Sequence, residues 1–85
     1  MQEEILSKVC QCAASAWKMD VAKINKDSSM DNLAKWDSLG HLKLIIVLEK
    51  EFGISFHPRD TVRMRSIDKV CQVIVENRMG EKALS

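Results

Sequence analysis

Tyrosine is absent from this 85-residue chain, and proline, glycine and aromatic residues are scarce. With only two phenylalanines and two tryptophans, the interior is expected to be mainly aliphatic. The longest uninterrupted apolar run, Leu44–Leu48, falls far short of the roughly 20 residues that a membrane-spanning helix needs. Residues 1–4 include two glutamates and are not followed by the apolar stretch of a secretory signal. No transmembrane segment is therefore predicted, and the cytoplasm is the expected location.

The chain also lacks an excess of charge of either sign. Thirteen basic and twelve acidic residues give a formal net charge of +1, and no basic stripe is interleaved with aromatic residues. A nucleic-acid partner is therefore not predicted. The length predicts one domain, residues 1–80, followed by a flexible tail, residues 81–85. So small a core favours a binding or carrier module over an enzyme with its own catalytic cleft.

Paired cysteines and metal-ligand spacings are missing as well. The three cysteines, Cys10, Cys12 and Cys71, are odd in number and form no CxxC motif. They are predicted to be small apolar residues of a reducing compartment. His41 and His57 have no cysteine or carboxylate partner at a recognised metal spacing, so both are predicted to be surface residues and no metal site is expected.

Helical periodicity dominates what is present. Apolar residues spaced by three and four predict a first helix over residues 2–17. Residues 18–36 lack a period and are rich in Asp, Asn and Ser, which predicts a long loop. Connections of this length in small domains are usually functional. The residues expected to hold the loop on the core are Val21, Ile24, Met30 and Leu33.

A second helix is predicted over residues 39–52, with Asp37 or Ser38 as its N-cap and Gly53 as its C-terminal stop. Pro58 can begin a short helical turn. A fourth helix is predicted to start after Ser66 and to end at Gly80. The resulting fold class is all-α, a small bundle of three long helices and one short one.

Three segments carry a family resemblance. Residues 36–42 read Trp-Asp-Ser-Leu-Gly-His-Leu, residues 49–54 read Glu-Lys-Glu-Phe-Gly-Ile, and residues 27–30 read Asp-Ser-Ser-Met. Serine before a helix is by itself explained by capping, although a helix N-terminus also favours an anion. In combination with the length of the second helix, the segments resemble the modification site of acyl carrier proteins.

The resemblance implies a role for each site residue. Ser38 would receive a covalent 4′-phosphopantetheine arm from coenzyme A, through a phosphopantetheinyl transferase, and Asp37 would be the charge beside it. Leu39, Leu42 and Ile46 would contact partner enzymes. The implied partners are acyl-loading and acyl-transfer enzymes that bind transiently to a monomer. No catalytic residue is expected.

The second helix departs from the carriers of fatty acid synthesis, which are usually strongly acidic. Its charges, Lys43, Glu49, Lys50 and Glu51, sum to zero. This difference predicts a stand-alone carrier of a specialised pathway, polyketide-like or modified-lipid. Gly40 lies within the helix and lowers its propensity. It either leaves room around the serine or is a tolerated defect.

Other interpretations stay open from the sequence. The cargo could be aminoacyl or peptidyl, or the fold could serve as an unmodified helical interaction module in which Ser38 only caps. A hydrolase is not favoured, because Asp37, Ser38 and His41 lack the order of a catalytic triad. The aliphatic interior also suggests that the bundle could shelter an acyl chain. The residues expected to line that interior are Ile45, Leu48, Phe52, Val62, Ile67, Val70, Cys71 and Ile74.

Overall fold

The computed structural model describes the backbone of residues 2–84 and the side chains of residues 3–77. The elements are α1 (Gln2–Trp17), a short 3₁₀ helix (Val21–Lys23), α2 (Ser38–Phe52), α3 (Pro58–Arg63) and α4 (Ile67–Leu84). Three long helices and one short one confirm the predicted all-α bundle. Over residues 2–84 none of these helices is both long and apolar enough to cross a bilayer.

Helix α1 is the centre of the bundle, packing against both α2 and α4. The apolar residues at helical spacing face the core, where Val9, Cys12, Ala13 and Trp17 are buried and Ile5 and Ala16 are partly buried. The helix ends with Lys18 in a left-handed conformation (φ 54°) and the Met19 N–H donating to the Ala14 carbonyl oxygen. This closure turns the chain sharply at the C-terminal end of α1.

Helix α2 has the predicted limits to within one residue. It starts at Ser38 and ends at Phe52, and the C-cap Gly53 has a φ of 63°, the left-handed conformation that glycine adopts without steric cost. Leu44 and Leu48 are fully buried against the core, whereas Ile45 and Phe52 are half-buried.

Backbone hydrogen bonds between the long loop and the start of α4 fix the position of the loop. The Ile67 and Asp68 N–H groups, the first donors of α4, reach the carbonyl oxygens of Ser28 and Lys26 at 2.9 and 3.1 Å. These donors have no acceptor inside α4, so the loop caps the helix. The expectation for the loop's apolar residues is right for Ile24, which is buried. It is wrong for Val21, which is 44% exposed.

Helices α3 and α4 close the bundle. Pro58 occupies the first turn of α3 as predicted, and the Lys69 N–H donates to the Ser66 hydroxyl at the start of α4. Val62 was expected in the interior, but it is 72% exposed, because a helix of six residues buries only one side.

The predicted end of the fourth helix at Gly80 is wrong, since α4 continues to Leu84. Glycine inside a helix costs about 1 kcal/mol relative to alanine and need not end it. The division into a domain over residues 1–80 and a flexible tail over 81–85 remains a prediction. The side chains of that tail, and Ser85 entirely, lie outside the described residues.

Candidate functional site

Ser38 is the first residue of α2, and its side chain is exposed. The N-cap is Asp37, whose backbone is extended (φ −94°, ψ −168°) and whose Oδ1 accepts the Gly40 N–H at 2.8 Å. Of the two residues predicted to cap the helix, Asp37 is therefore the one that does so. Ser38 stands at the opening of the helix, where free N–H groups and the helix dipole favour an anion.

Two indole N–H groups hold the first turn of α2 in place. Trp17 Nε1 donates to the Gly40 carbonyl oxygen at 2.9 Å, and Trp36 Nε1 donates to His41 Nδ1 at 2.9 Å. Both tryptophans are buried, and their ring centroids lie 5.0 Å apart at 42°. The bonds attach the end of α1 and the end of the loop to the two residues that follow Ser38-Leu39.

His41 is not the surface residue that was predicted. Its ring is half-buried and stacks beside Trp36, with centroids 6.1 Å apart. An indole N–H can only donate, so Nδ1 of His41 accepts and Nε2 carries the proton. Nε2 then donates to the Thr61 carbonyl oxygen at 2.8 Å. His41 therefore bridges α2 to α3 as a neutral ring.

Gly40 leaves room for the loop. A Cβ at this position would overlap the backbone carbonyl oxygen of Lys35 and lie 3.1 Å from Trp17 Nε1. Lys35 in turn donates its Nζ to the Trp17 carbonyl oxygen at 3.0 Å, which caps α1. Gly40 is therefore not a tolerated defect, because a side chain here would overlap the loop backbone where it crosses α2; room around the serine stays a prediction.

A groove of about 340 Å³ lies on the α1 side of the serine. We call it the serine groove, and it is lined by Trp17, Lys18, Lys35, Asp37 and Lys43 among others. Its described lining includes three lysines and one acidic residue, the cap Asp37. The lining also includes Leu39 and Gly40, so the groove lies beside the first turn of α2.

Leu39, Leu42 and Ile46 form an apolar stripe along the solvent-facing side of α2. Their exposed fractions are 60%, 56% and 47%. The structure thus places all three where a partner could reach them, although contact with a partner remains a prediction. Their position opposite the buried Leu44 and Leu48 follows from the rotational setting of α2.

The sequence matches the family described as phosphopantetheine attachment site over residues 7–74. The chain belongs to the acyl carrier protein family. Members of this family carry covalently attached 4′-phosphopantetheine and are carriers rather than enzymes. The match includes Ser38 and every residue of the tryptophan contacts described above.

Three relatives named acyl carrier protein show the extent of the likeness. The protein of Thermosynechococcus vestitus is 30% identical over 86% of this chain and 90% of its own length. That of Rubrobacter xylanophilus is 25% identical over 91% of this chain and 95% of its own. That of Prochlorococcus marinus is 36% identical over 62% of this chain and 66% of its own.

For a carrier that works through a thiol, its own cysteines are potential competitors. Burial raises the pKa of the Cys10 and Cys12 thiols, and burial with the nearby Cys10 raises the pKa of Cys71 to about 11. All three cysteines are free. Because the thiolate is the nucleophile, these side chains are poor acyl acceptors near neutral pH.

Gly40→Ala should lower the free energy of unfolding by about 1–3 kcal/mol, since a methyl group would force the Lys35 carbonyl and the first turn of α2 apart. Urea unfolding followed by tryptophan fluorescence measures the change. Leu39→Ala, at an exposed position one residue away, is the control and should change stability by less than about 0.5 kcal/mol. Helix propensity alone predicts that Gly40→Ala stabilises the protein. That result would contradict the predicted overlap between the added methyl group and the Lys35 carbonyl oxygen.

Alkylation of the apo-protein by iodoacetamide at pH 8 should be slow at all three cysteines. Raised pKa values leave little thiolate at that pH, so the rate at Cys71 should climb with pH up to about 11. Mass spectrometry of digested samples reports each site. The same reaction in concentrated denaturant, where burial is lost, is the reference, and equal rates at Cys71 in both conditions would disprove the protection.

Proposed function

We propose that Ser38 carries the 4′-phosphopantetheine arm and that the protein uses it to deliver acyl thioesters in a specialised pathway. It acts as a cytoplasmic monomer that visits a phosphopantetheinyl transferase and acyl-loading and acyl-transfer enzymes in turn. The observation that carries the proposal is the exposed serine at the first position of α2, next to a separate capping residue.

Asp37 and Ser38 have different roles at the start of α2, and this difference supports Ser38 as the attachment site. Because Asp37 caps the helix, the Ser38 hydroxyl is free to become a phosphodiester without loss of the cap. The lysines of the serine groove would attract the negatively charged phosphate. Asp37 would form an ion pair with a cationic side chain of the transferase. When bound, the arm supplies a thiol that holds acyl groups as thioesters.

Tethering makes each cargo an effectively concentrated substrate for the docked enzyme. Delivery then depends on docking, which the apolar stripe can provide next to the attachment point. The relatives bear the name acyl carrier protein, which favours acyl over aminoacyl cargo.

The proposal of a specialised pathway rests on the charges around Ser38. Carriers of fatty acid synthesis resembling this chain usually present an acidic second helix, whereas α2 has equal numbers of lysines and glutamates. Charges at the rim of an interface mainly set the encounter rate and the choice of partner. A protein with this surface is suited to enzymes other than those of housekeeping fatty acid synthesis.

Incubation with coenzyme A and a broad-specificity phosphopantetheinyl transferase should add one phosphopantetheine to the wild-type protein. Ser38→Ala should gain no mass and should unfold within about 0.5 kcal/mol of the wild type, because Asp37 provides the cap. Intact mass and urea unfolding measure the two effects. Ser55→Ala, also exposed, is the matched control and should still take up the arm. No mass gain by folded wild type with several transferases would favour an unmodified interaction module.

A malonyl transferase of fatty acid synthesis should load the holo-protein more slowly than it loads the acidic carrier of its own pathway. We expect at least a tenfold lower kcat/KM at low ionic strength, because a basic docking patch finds no anionic partner on α2. Initial rates of malonyl transfer measure the difference. Equal rates for the two carriers would contradict the specialised pathway and leave the carrier role intact.

A further inference from the structure

Although the formal charges of α2 sum to zero, its glutamates and its lysines have different surroundings. Glu49 Oε2 accepts the backbone N–H of Phe56 at 2.8 Å, and so fastens the loop that follows the helix. Glu51 Oε2 lies 3.8 Å from Lys8 Nζ on α1, at the edge of the α1–α2 interface. The Glu49 carboxylate is thus bonded to the loop backbone, whereas Glu51 forms a long ion pair with Lys8 in which both side chains are about half exposed.

The two lysines of the helix are not engaged in this way. Among the side chains of residues 3–77, neither Lys43 nor Lys50 lies within ion-pair distance of a carboxylate. Both residues are exposed. The helix therefore offers solvent two free ammonium groups, although its charges sum to zero.

These lysines border the apolar stripe. Lys43 follows Leu39 by four residues and Lys50 follows Ile46 by four, so each lies next to a stripe residue on the helix surface. Lys43 also lines the serine groove, together with Lys18 and with Lys35, whose ammonium is bonded to the Trp17 carbonyl oxygen. We call the apolar stripe together with Lys43 and Lys50 the docking face.

At the serine end of this face, the carboxylate among the described residues that line the serine groove is that of Asp37, and its Oδ1 accepts the Gly40 N–H. An apolar centre with a cationic border is complementary to an apolar cleft bordered by anions. Such complementarity accelerates encounter and rejects partners with the same sign of charge.

We propose that the docking face binds enzymes whose apolar docking cleft is bordered by Asp and Glu carboxylates. The inference rests on the proposed carrier function, since a carrier must dock on each enzyme that loads or unloads it. A protein partner fits better than an anionic membrane, because lipid-binding segments usually cluster four to eight basic residues and α2 has two.

The test reverses the charges on each side of the proposed interface, first on the transferase and then on the carrier. A malonyl transferase of fatty acid synthesis is used in two forms, one unmodified and one with the Lys and Arg residues of its docking patch replaced by Glu. At low ionic strength the wild-type holo-protein should be loaded roughly tenfold faster by the acidic form than by the basic form. The double variant Lys43→Glu/Lys50→Glu should reverse that preference, and salt should reduce both differences.

Three controls make the outcome decisive. Malonyl transfer to free pantetheine, which needs no docking, checks that both transferases are active. Intact mass checks that each carrier has its arm. Lys23→Glu/Lys69→Glu changes the net charge equally at exposed positions on the 3₁₀ helix and α4, and should behave like the wild type.

An identical preference for the wild type and Lys43→Glu/Lys50→Glu would overturn the proposal. An equal change of preference in Lys23→Glu/Lys69→Glu would also overturn it, because the effect would then depend on the net charge and not on the docking face. Binding of the wild type to vesicles of phosphatidylserine, lost in Lys43→Glu/Lys50→Glu, would assign the face to a membrane instead. Failure of Ser38 to take up the arm would remove the carrier function itself, and is seen separately in the mass measurement.

Discussion

The arrangement around Ser38 depends on the hydrogen bonds of two buried indoles. An indole N–H left unpaired in the interior would cost about 1–3 kcal/mol. Trp17 and Trp36 therefore need acceptors, and they find them at Gly40 and His41 in the first turn of α2. These bonds fix the rotation of α2 about its axis, which turns the serine and the apolar stripe outward and Leu44 inward.

The long loop belongs to the same construction. Its carbonyl oxygens at Lys26 and Ser28 cap α4, while its last residues, Lys35 and Trp36, bind α1 and α2. His41 extends the connection to α3 through Thr61. Each helix is thus joined to the loop directly or through one further residue, so a connection without regular periodicity acts as a common support for the elements near the serine.

Sequence patterns within a segment predicted the features that depend on that segment alone. The limits of α1 and α2 followed from spacing and from Gly53, whereas Gly80 did not end α4. The exposure of Leu39, Leu42 and Ile46 followed from the family resemblance. What depended on contacts between distant residues could not be predicted. The role of Gly40 requires knowing that Lys35 crosses the helix, and the burial of His41 requires Trp36 and Thr61 on either side of its ring.

The choice of Asp37 over Ser38 as the cap also lay beyond the sequence, because both side chains can accept the same N–H groups. That choice has a thermodynamic consequence. A group attached covalently to a side chain is present in the folded and the unfolded chain alike, so where it replaces no internal contact it leaves the folding equilibrium almost unchanged, apart from the effect of its own charge. Attachment of the arm proposed for Ser38 would thereby be decoupled from folding, and a transferase would act on a protein that is already in its final conformation.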